Sequence, residues 1–183
     1  MKEIVQDGTK VLREIAKPLP KKLFGSVELK NLIDDMAKAL DKELDGVALA
    51  APQIGISYRL FIVRKDRAIE VPITNESEET SEKQEVPKPE IEVYINPEIL
   101  KTSRRKALRD EGCLSTRGIY GVTKRHERVT ISAYNIDGSQ FQRGAGGLMA
   151  QIFEHETDHL NGILFSDNAE QIVDITKENE SNT

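Results

Sequence analysis

The chain has 183 residues, enough for one domain with a real core, and its 31% charged and 38% hydrophobic shares are those of an ordinary globular protein. A net charge of -5 argues against broad binding to DNA or RNA backbones, which needs clustered Lys and Arg. No apolar run is long enough to span a bilayer, and the start MKEIVQDGTK lacks the apolar stretch of a signal peptide, so the expected setting is the reducing cytoplasm, away from membranes.

Residues 1–24 read as an extended start followed by a loop around Pro18 and Pro20. Ser26 stands where a helix N-cap belongs, with Glu28 in the first turn. Leu29, Leu32, Ile33, Met36, Leu40 and Leu44 then follow at helical spacing, and Gly46 is expected to close the helix. The stretch GVALAAPQIG (46–55) is small and apolar, which allows close approach of backbone to backbone or ligand. Gln53 is its one long polar side chain. Taken alone, it reads as an amide that satisfies a nearby loop.

RLFIVR (59–64) reads as a strand. Residues 65–90 carry Glu76, Glu78, Glu79, Glu82 and Glu85 among Ser, Thr and Lys, a composition expected of an exposed acidic insertion. IEVYI (91–95) alternates, and Asn96-Pro97 is expected to end that strand. The basic run at Lys101, Arg104, Arg105 and Lys106 suits an exposed strand or turn. Val129–Ala133 and Ser139–Arg143 flank an Asn-Ile-Asp-Gly turn and predict a hairpin. Gly144–Gly147 is expected to break the sheet, and Leu148 to open the last helix. The end, 166–183, reads as a polar tail with Ile172, Val173 and Ile175 as its last apolar cluster. Without regular βαβ alternation, the order predicts an α+β fold with antiparallel β-sheets packed around a long C-terminal α-helix.

That helix carries FEHETDHLNG (153–162). His155 and His159 are four apart, which stacks both imidazoles on one helix face and lets them hold two positions of a metal. Glu156 follows the first His, placed to reach a water at such a site, the HExxH pattern of metal-assisted hydrolysis. A bare HExxH also fits a solvated helix face. Cys113, the single cysteine, lies beside Gly112 and would supply a thiolate, leaving a fourth position open. For a lone cysteine the alternative is a small buried hydrophobe.

Three motifs in order make the chain resemble the peptide deformylase family: Gly46, Ala50, Ala51 and Gln53 of a Gly/Ala stretch; EGCLS at Glu111–Ser115; and His155, Glu156, Asp158 and His159 of an HExDH helix. The start DGTKVLREIAKP is also similar, and the likeness spans most of 1–165, expected to be the catalytic domain. The resemblance implies hydrolysis of the N-formyl group from the initiator Met of nascent chains, releasing formate. It implies Cys113, His155 and His159 as metal ligands, with Fe(II) the usual ion and zinc, nickel or cobalt able to replace it. It implies Glu156 as general acid/base, Gln53 and the Leu114 amide as oxyanion donors, and Gly46, Val47, Ala48 and Glu111 at the substrate. Ala50 and Ala51 suit a wall tight enough to admit formyl and reject acetyl. Asp158 reads either as a residue that orients a ligand or as a surface ion pair.

The chain departs from the family pattern at Ala48 (for Gly), Thr116-Arg117 (for an apolar residue and Pro), Glu154 (for Gln), and at Gln151 and Arg109, where aliphatic residues line the methionine pocket. An active enzyme with a more polar side-chain pocket is expected. A basic C-terminal helix that docks some members at the ribosome has little counterpart here, since Lys177 is the only basic residue after Phe165. A monomer is expected. Two rivals stand beside this reading: another HExxH peptidase, for which His126 is the only further His, and a binding-only relative, for which Glu156 would be superfluous.

Overall fold

Ser26 starts the first helix as expected. Its hydroxyl accepts a hydrogen bond from the Leu29 N–H at 3.1 Å, and the backbone turns into α1 (Val27–Asp41). The computed structural model describes residues 2–68 and 90–175. The expected acidic insertion falls largely at 69–89, and the end of the expected tail at 176–183, both outside the described residues.

Leu29, Ile33, Met36 and Leu40 bury one stripe of α1. The helix ends at Asp41, earlier than Gly46, and Leu44 is 91% exposed. Arg67 supplies the reason: its Nη1 donates to the carbonyls of Glu43 and Gly46, both at 2.8 Å, so a distant cation takes carbonyls that another helical turn would have used. Gly46 serves packing. A Cβ there would lie 2.7 Å from Leu40 Cδ1 and 3.1 Å from Leu114 Cδ1.

Eight strands follow: β1 (Ala48–Ala50), β2 (Leu60–Arg64), β3 (Ile91–Thr102), β4 (Lys106–Gly112), β5 (Ile119–His126), β6 (Arg128–Tyr134), β7 (Gln140–Gly146) and β8 (Gln171–Asp174). Every pairing between them is antiparallel. They form a five-stranded sheet in the order β1-β2-β3-β6-β7 and a three-stranded sheet in the order β4-β5-β8. The second helix, α2 (Gly147–Leu160), completes the described fold. In β2, which is buried throughout, Leu60 and Ile62 pack with the α1 stripe while Phe61 and Val63 pack with Ala150, Ile152 and Phe153 of α2. The larger sheet thus carries one helix on each face. Phe61 stacks on Tyr94 at 4.6 Å, and Phe153 meets Tyr94 edge-on at 5.2 Å.

Three local expectations change. Asn96-Pro97 does not end β3. The strand absorbs it as a register shift between Ile95 and Glu98. Asn96 adopts φ 48°, and its amide accepts from Leu19 N at 2.7 Å and donates to Leu19 O at 3.1 Å, so a tertiary contact stabilises the irregularity. Gly144 stays in β7 opposite Thr130, and the sheet runs to Gly146. β5 and β8 carry no clear strand pattern in sequence. The inward face of β5 is Gly121, Thr123 and Arg125, so its polarity alternates weakly. β8, inside the stretch read as a polar tail, pairs Val173 with Tyr120 and Gln171 with Val122. Only glycine at 121 admits it: a Cβ would sit 2.6 Å from the Gln171 carbonyl oxygen. The predicted hairpin is present as β6–β7, closed by Gly138 N–H to Asn135 O at 3.0 Å.

Candidate metal centre

Helical spacing brings the His155 and His159 rings to 4.9 Å between centroids on one face of α2. β4 ends at Gly112 and delivers Cys113 to the same point. One side-chain donor from each of Cys113, His155 and His159 lies within 4.8 Å of the other two, and Cys113 Sγ is 3.2 Å from His159 Nε2. Two imidazoles and a thiol so grouped are a donor set suited to one borderline-soft divalent ion. Burial, with His155 nearby, drives His159 well below the usual histidine range and keeps it neutral, the form that ligates.

A buried relay stands behind His155. Its Nδ1 is 3.1 Å from Glu111 Oε2. Glu111 accepts from Thr123 Oγ1 at 2.7 Å and from Arg125 Nε and Nη2 at 2.6 and 3.0 Å. Burial alone would raise the Glu111 carboxyl, but His155 and Arg125 hold it down at about 2, so it is ionised and fixes the ring. Arg125 Nη1 also binds Asp158 Oδ2 at 2.6 Å. Asp158 is therefore an ion-pair residue that reaches the ligand through Arg125 and Glu111, which combines its two sequence readings. Nothing local in the sequence marks Arg125 or Thr123 as part of the site. Their only signal was alternation within β5.

Glu156 is 4% exposed, and its Oε2 has no hydrogen-bond partner. Burial, with the Glu111 charge adding and His155 opposing, pushes its carboxyl up to about 7, the range in which a group both takes and returns protons at neutral pH. Gln53 faces two ways. Its Oε1 accepts from Ala50 N–H at 2.8 Å, the local role its sequence suggests, while Nε2 points at Cys113 Sγ (3.5 Å) and Ser115 Oγ (3.3 Å).

A cavity of about 330 Å³ opens over this cluster. Gly46, Val47 and Ala48 line one side, Glu111, Cys113 and Leu114 another, and Gln151, His155 and Glu156 of α2 its floor. It lies between two strands, β1 and β4, each at the edge of its sheet. Ala50 and Ala51 do not form the wall expected of them. Both are fully buried in the core, and the small residues that line the cavity include Gly46, Ala48, Gly112 and Gly118. Gln151 lines the cavity and donates to Asp110 O at 2.8 Å, whereas Arg109 is not among the lining residues. Arg117 crosses the rim to bind Asp45 at 2.8 and 3.2 Å, and also Glu43. Glu154 points away, holding His126 Nδ1 at 2.6 Å and its N–H at 2.8 Å. His126 thus stands outside the ligand group, and among the described residues the third member of that group is Cys113 and not the further His or Glu a different HExxH peptidase would need.

A family model described as polypeptide deformylase matches residues 1–174. The chain belongs to the peptide deformylase family. It is 41% identical over 157 residues to a peptide deformylase of Chloroflexus aurantiacus, covering 84% of this chain and 80% of that one. It is 36% identical over 172 residues to one from Desulforudis audaxviator, covering 93% and 94%. Among solved structures, the peptide deformylase of Thermotoga maritima superposes with a TM-score of 0.74 at 33% identity, covering 93% of this chain and 99% of that one. The actinonin-bound class I type b enzyme of Acinetobacter baumannii gives 0.77 at 32%, with the same coverage. The α+β expectation is borne out by these neighbours. Members of the family are metal-dependent hydrolases that remove the N-formyl group from nascent peptides, and this chain is one of them. No described helix is long and apolar enough to cross a membrane.

Proposed function

We propose that Cys113, His155 and His159 hold the metal, that Glu156 is the acid/base, and that Gln53 Nε2 and the Leu114 N–H stabilise the oxyanion while the chain deformylates N-formyl-methionyl peptides. The observation that carries this reading is the convergence of one sulfur and two ring nitrogens within 4.8 Å beside a buried, partnerless Glu156 oxygen. Fe(II) is the proposed ion, and Zn(II), Ni(II) or Co(II) suits the same sulfur–nitrogen set.

A divalent cation held there supplies Lewis acidity toward the formyl oxygen and makes a nearby water acidic. Glu156 takes the proton of the attacking water and returns it to the amine nitrogen as the C–N bond breaks, leaving formate and a free N-terminus. These two donors, each worth about 3 kcal/mol when preorganised, would stabilise the carbonyl oxygen as it gains negative charge. Glu111, held by Arg125, keeps His155 oriented. The free edge of β1, from Ala48 with Val47 just before it, receives the peptide backbone as an added strand. The Gln151 amide makes the side-chain pocket more polar than an aliphatic wall would, and so relaxes the preference for Met. The proposed setting is the cytoplasm, with the chain a monomer that meets the ribosome through its nascent substrate.

The test is formate release by wild type and Glu156→Ala, with bound metal measured in both, on formyl-Met peptides and on peptides with other first residues. Glu156→Ala should keep the metal and lose at least about 100-fold in kcat. Equal turnover by the variant would remove Glu156 from the chemistry. A strict Met preference would refute the relaxed pocket.

A further inference from the structure

The two proposed oxyanion donors come from separate segments, Gln53 from the 3-10 turn Ala51–Ile54 after β1 and Leu114 from the loop after β4. Leu114 lines the cavity, and among the described residues its N–H donates to no backbone carbonyl. Residues 5–7 run behind both donors. The Val5 N–H donates to the Gln53 carbonyl at 2.8 Å, and the Asp7 N–H to the Ser115 carbonyl at 2.8 Å. Between them the Gln6 side chain grips the loop at two points: Nε2 donates to the Leu114 carbonyl at 3.0 Å, and Oε1 accepts from the Arg117 N–H at 3.4 Å. Gln6 itself is exposed and is not among the residues that line the cavity.

We infer that Gln6 is a positioning residue for deformylation: with the backbone of Val5 and Asp7 it clips the Leu114 loop to Gln53 at a fixed separation. The inference rests on the oxyanion roles proposed above and extends them to a residue outside the cavity. The physical case is preorganisation. A pair of donors stabilises a developing charge only when both are already aimed at it, and a displacement of about 1 Å can cost about 100-fold in rate. The direct contacts of Gln53 with Cys113 Sγ (3.5 Å) and Ser115 Oγ (3.3 Å) are long and use the same Nε2 that would serve the oxyanion. The bonds from Val5, Gln6 and Asp7 end on carbonyl oxygens instead, so they hold both donors from behind and occupy neither. An amide side chain suits this task because it donates and accepts at once.

Gln6→Met and Gln6→Glu test it, in the full chain loaded with metal and turning over formyl-Met-Ala-Ser. Gln6→Met keeps the reach and loses both bonds. Gln6→Glu keeps the acceptor for Arg117 and sets a carboxylate oxygen against the Leu114 carbonyl. Both should lower kcat about 10-fold, with KM within about twofold of wild type and metal content unchanged. In the metal-free proteins, backbone amide exchange across 113–117 should quicken about 10-fold in both variants, with exchange along α2 unaltered. A kcat within about twofold of wild type overturns the positioning role, and so does unaltered exchange at 113–117. A raised KM with kcat retained also overturns it, because that marks a contact with substrate. Loss of metal in step with activity overturns it too, by making Gln6 a support of the ligands. No formate from wild type overturns the deformylase reading, and the role of Gln6 with it.

Discussion

The Arg125 guanidinium grips the Glu111 carboxylate through two hydrogen bonds of 2.6 and 3.0 Å, and both side chains are buried. Neither residue belongs to the ligand group, yet the pair sets it. Glu111 reaches His155 from one end, and Asp158 on the same helix closes the relay from the other. Arg125→Ala would leave a buried carboxylate without its cation. The expected loss is about 3–5 kcal/mol of stability and about 10–100-fold in metal affinity. Denaturant unfolding, with metal content after dialysis against a weak chelator, measures both. Wild-type metal retention in Arg125→Ala would show that His155 holds its orientation unaided.

Gln53 separates two roles within one amide. Gln53→Met keeps the length, removes the Ala50 contact and removes the donor that faces Cys113. Loss of the Ala50 bond costs about 1 kcal/mol of stability. Loss of an oxyanion donor costs about 100-fold or more in kcat with little change in KM. Steady-state kinetics decides: a kcat within about threefold of wild type would leave Gln53 only its structural bond.

Acid stability has a separate source. Asp66 accepts from Arg64 Nε and Nη2 at 2.9 and 2.8 Å, and these bonds hold its carboxyl at about 2, below its ordinary 3.8. A folded-state value below the unfolded one stabilises above the unfolded value, and that stabilisation is lost as pH falls toward the folded one. Asp66 therefore contributes fully above about pH 4 and fades toward pH 2. Asp66→Asn should lower the urea midpoint at pH 6 and reduce its fall between pH 5 and 2.5. Parallel midpoint curves for variant and wild type would show that the pair carries no pH dependence.

Much of the site was legible in sequence because its signals are local. His155, Glu156 and His159 lie within one helical turn, and a period of 3.6 fixes which face they share. Cys113 sits in a short motif whose spacing from the helix is irrelevant once the family pattern is seen. The core stripe of α1 and the hairpin at 135–138 follow from the same kind of near-neighbour rule.

What the sequence alone could not give depends on partners far along the chain. Arg67 ended α1 by taking carbonyls that a continued helix would have claimed, and Leu19 stabilised the irregularity at Asn96 that would otherwise stop β3. Arg125, one of several basic residues in its stretch, became the counter-ion of Glu111 because antiparallel pairing turned its side of β5 inward. The apolar residues of the tail became a strand because Gly121 left room for another backbone. Residue type and short spacing determined the chemistry available to this chain. Long-range pairing decided which charges were buried together, since the cost of desolvating a charge is offset only by a partner that folding brings to it.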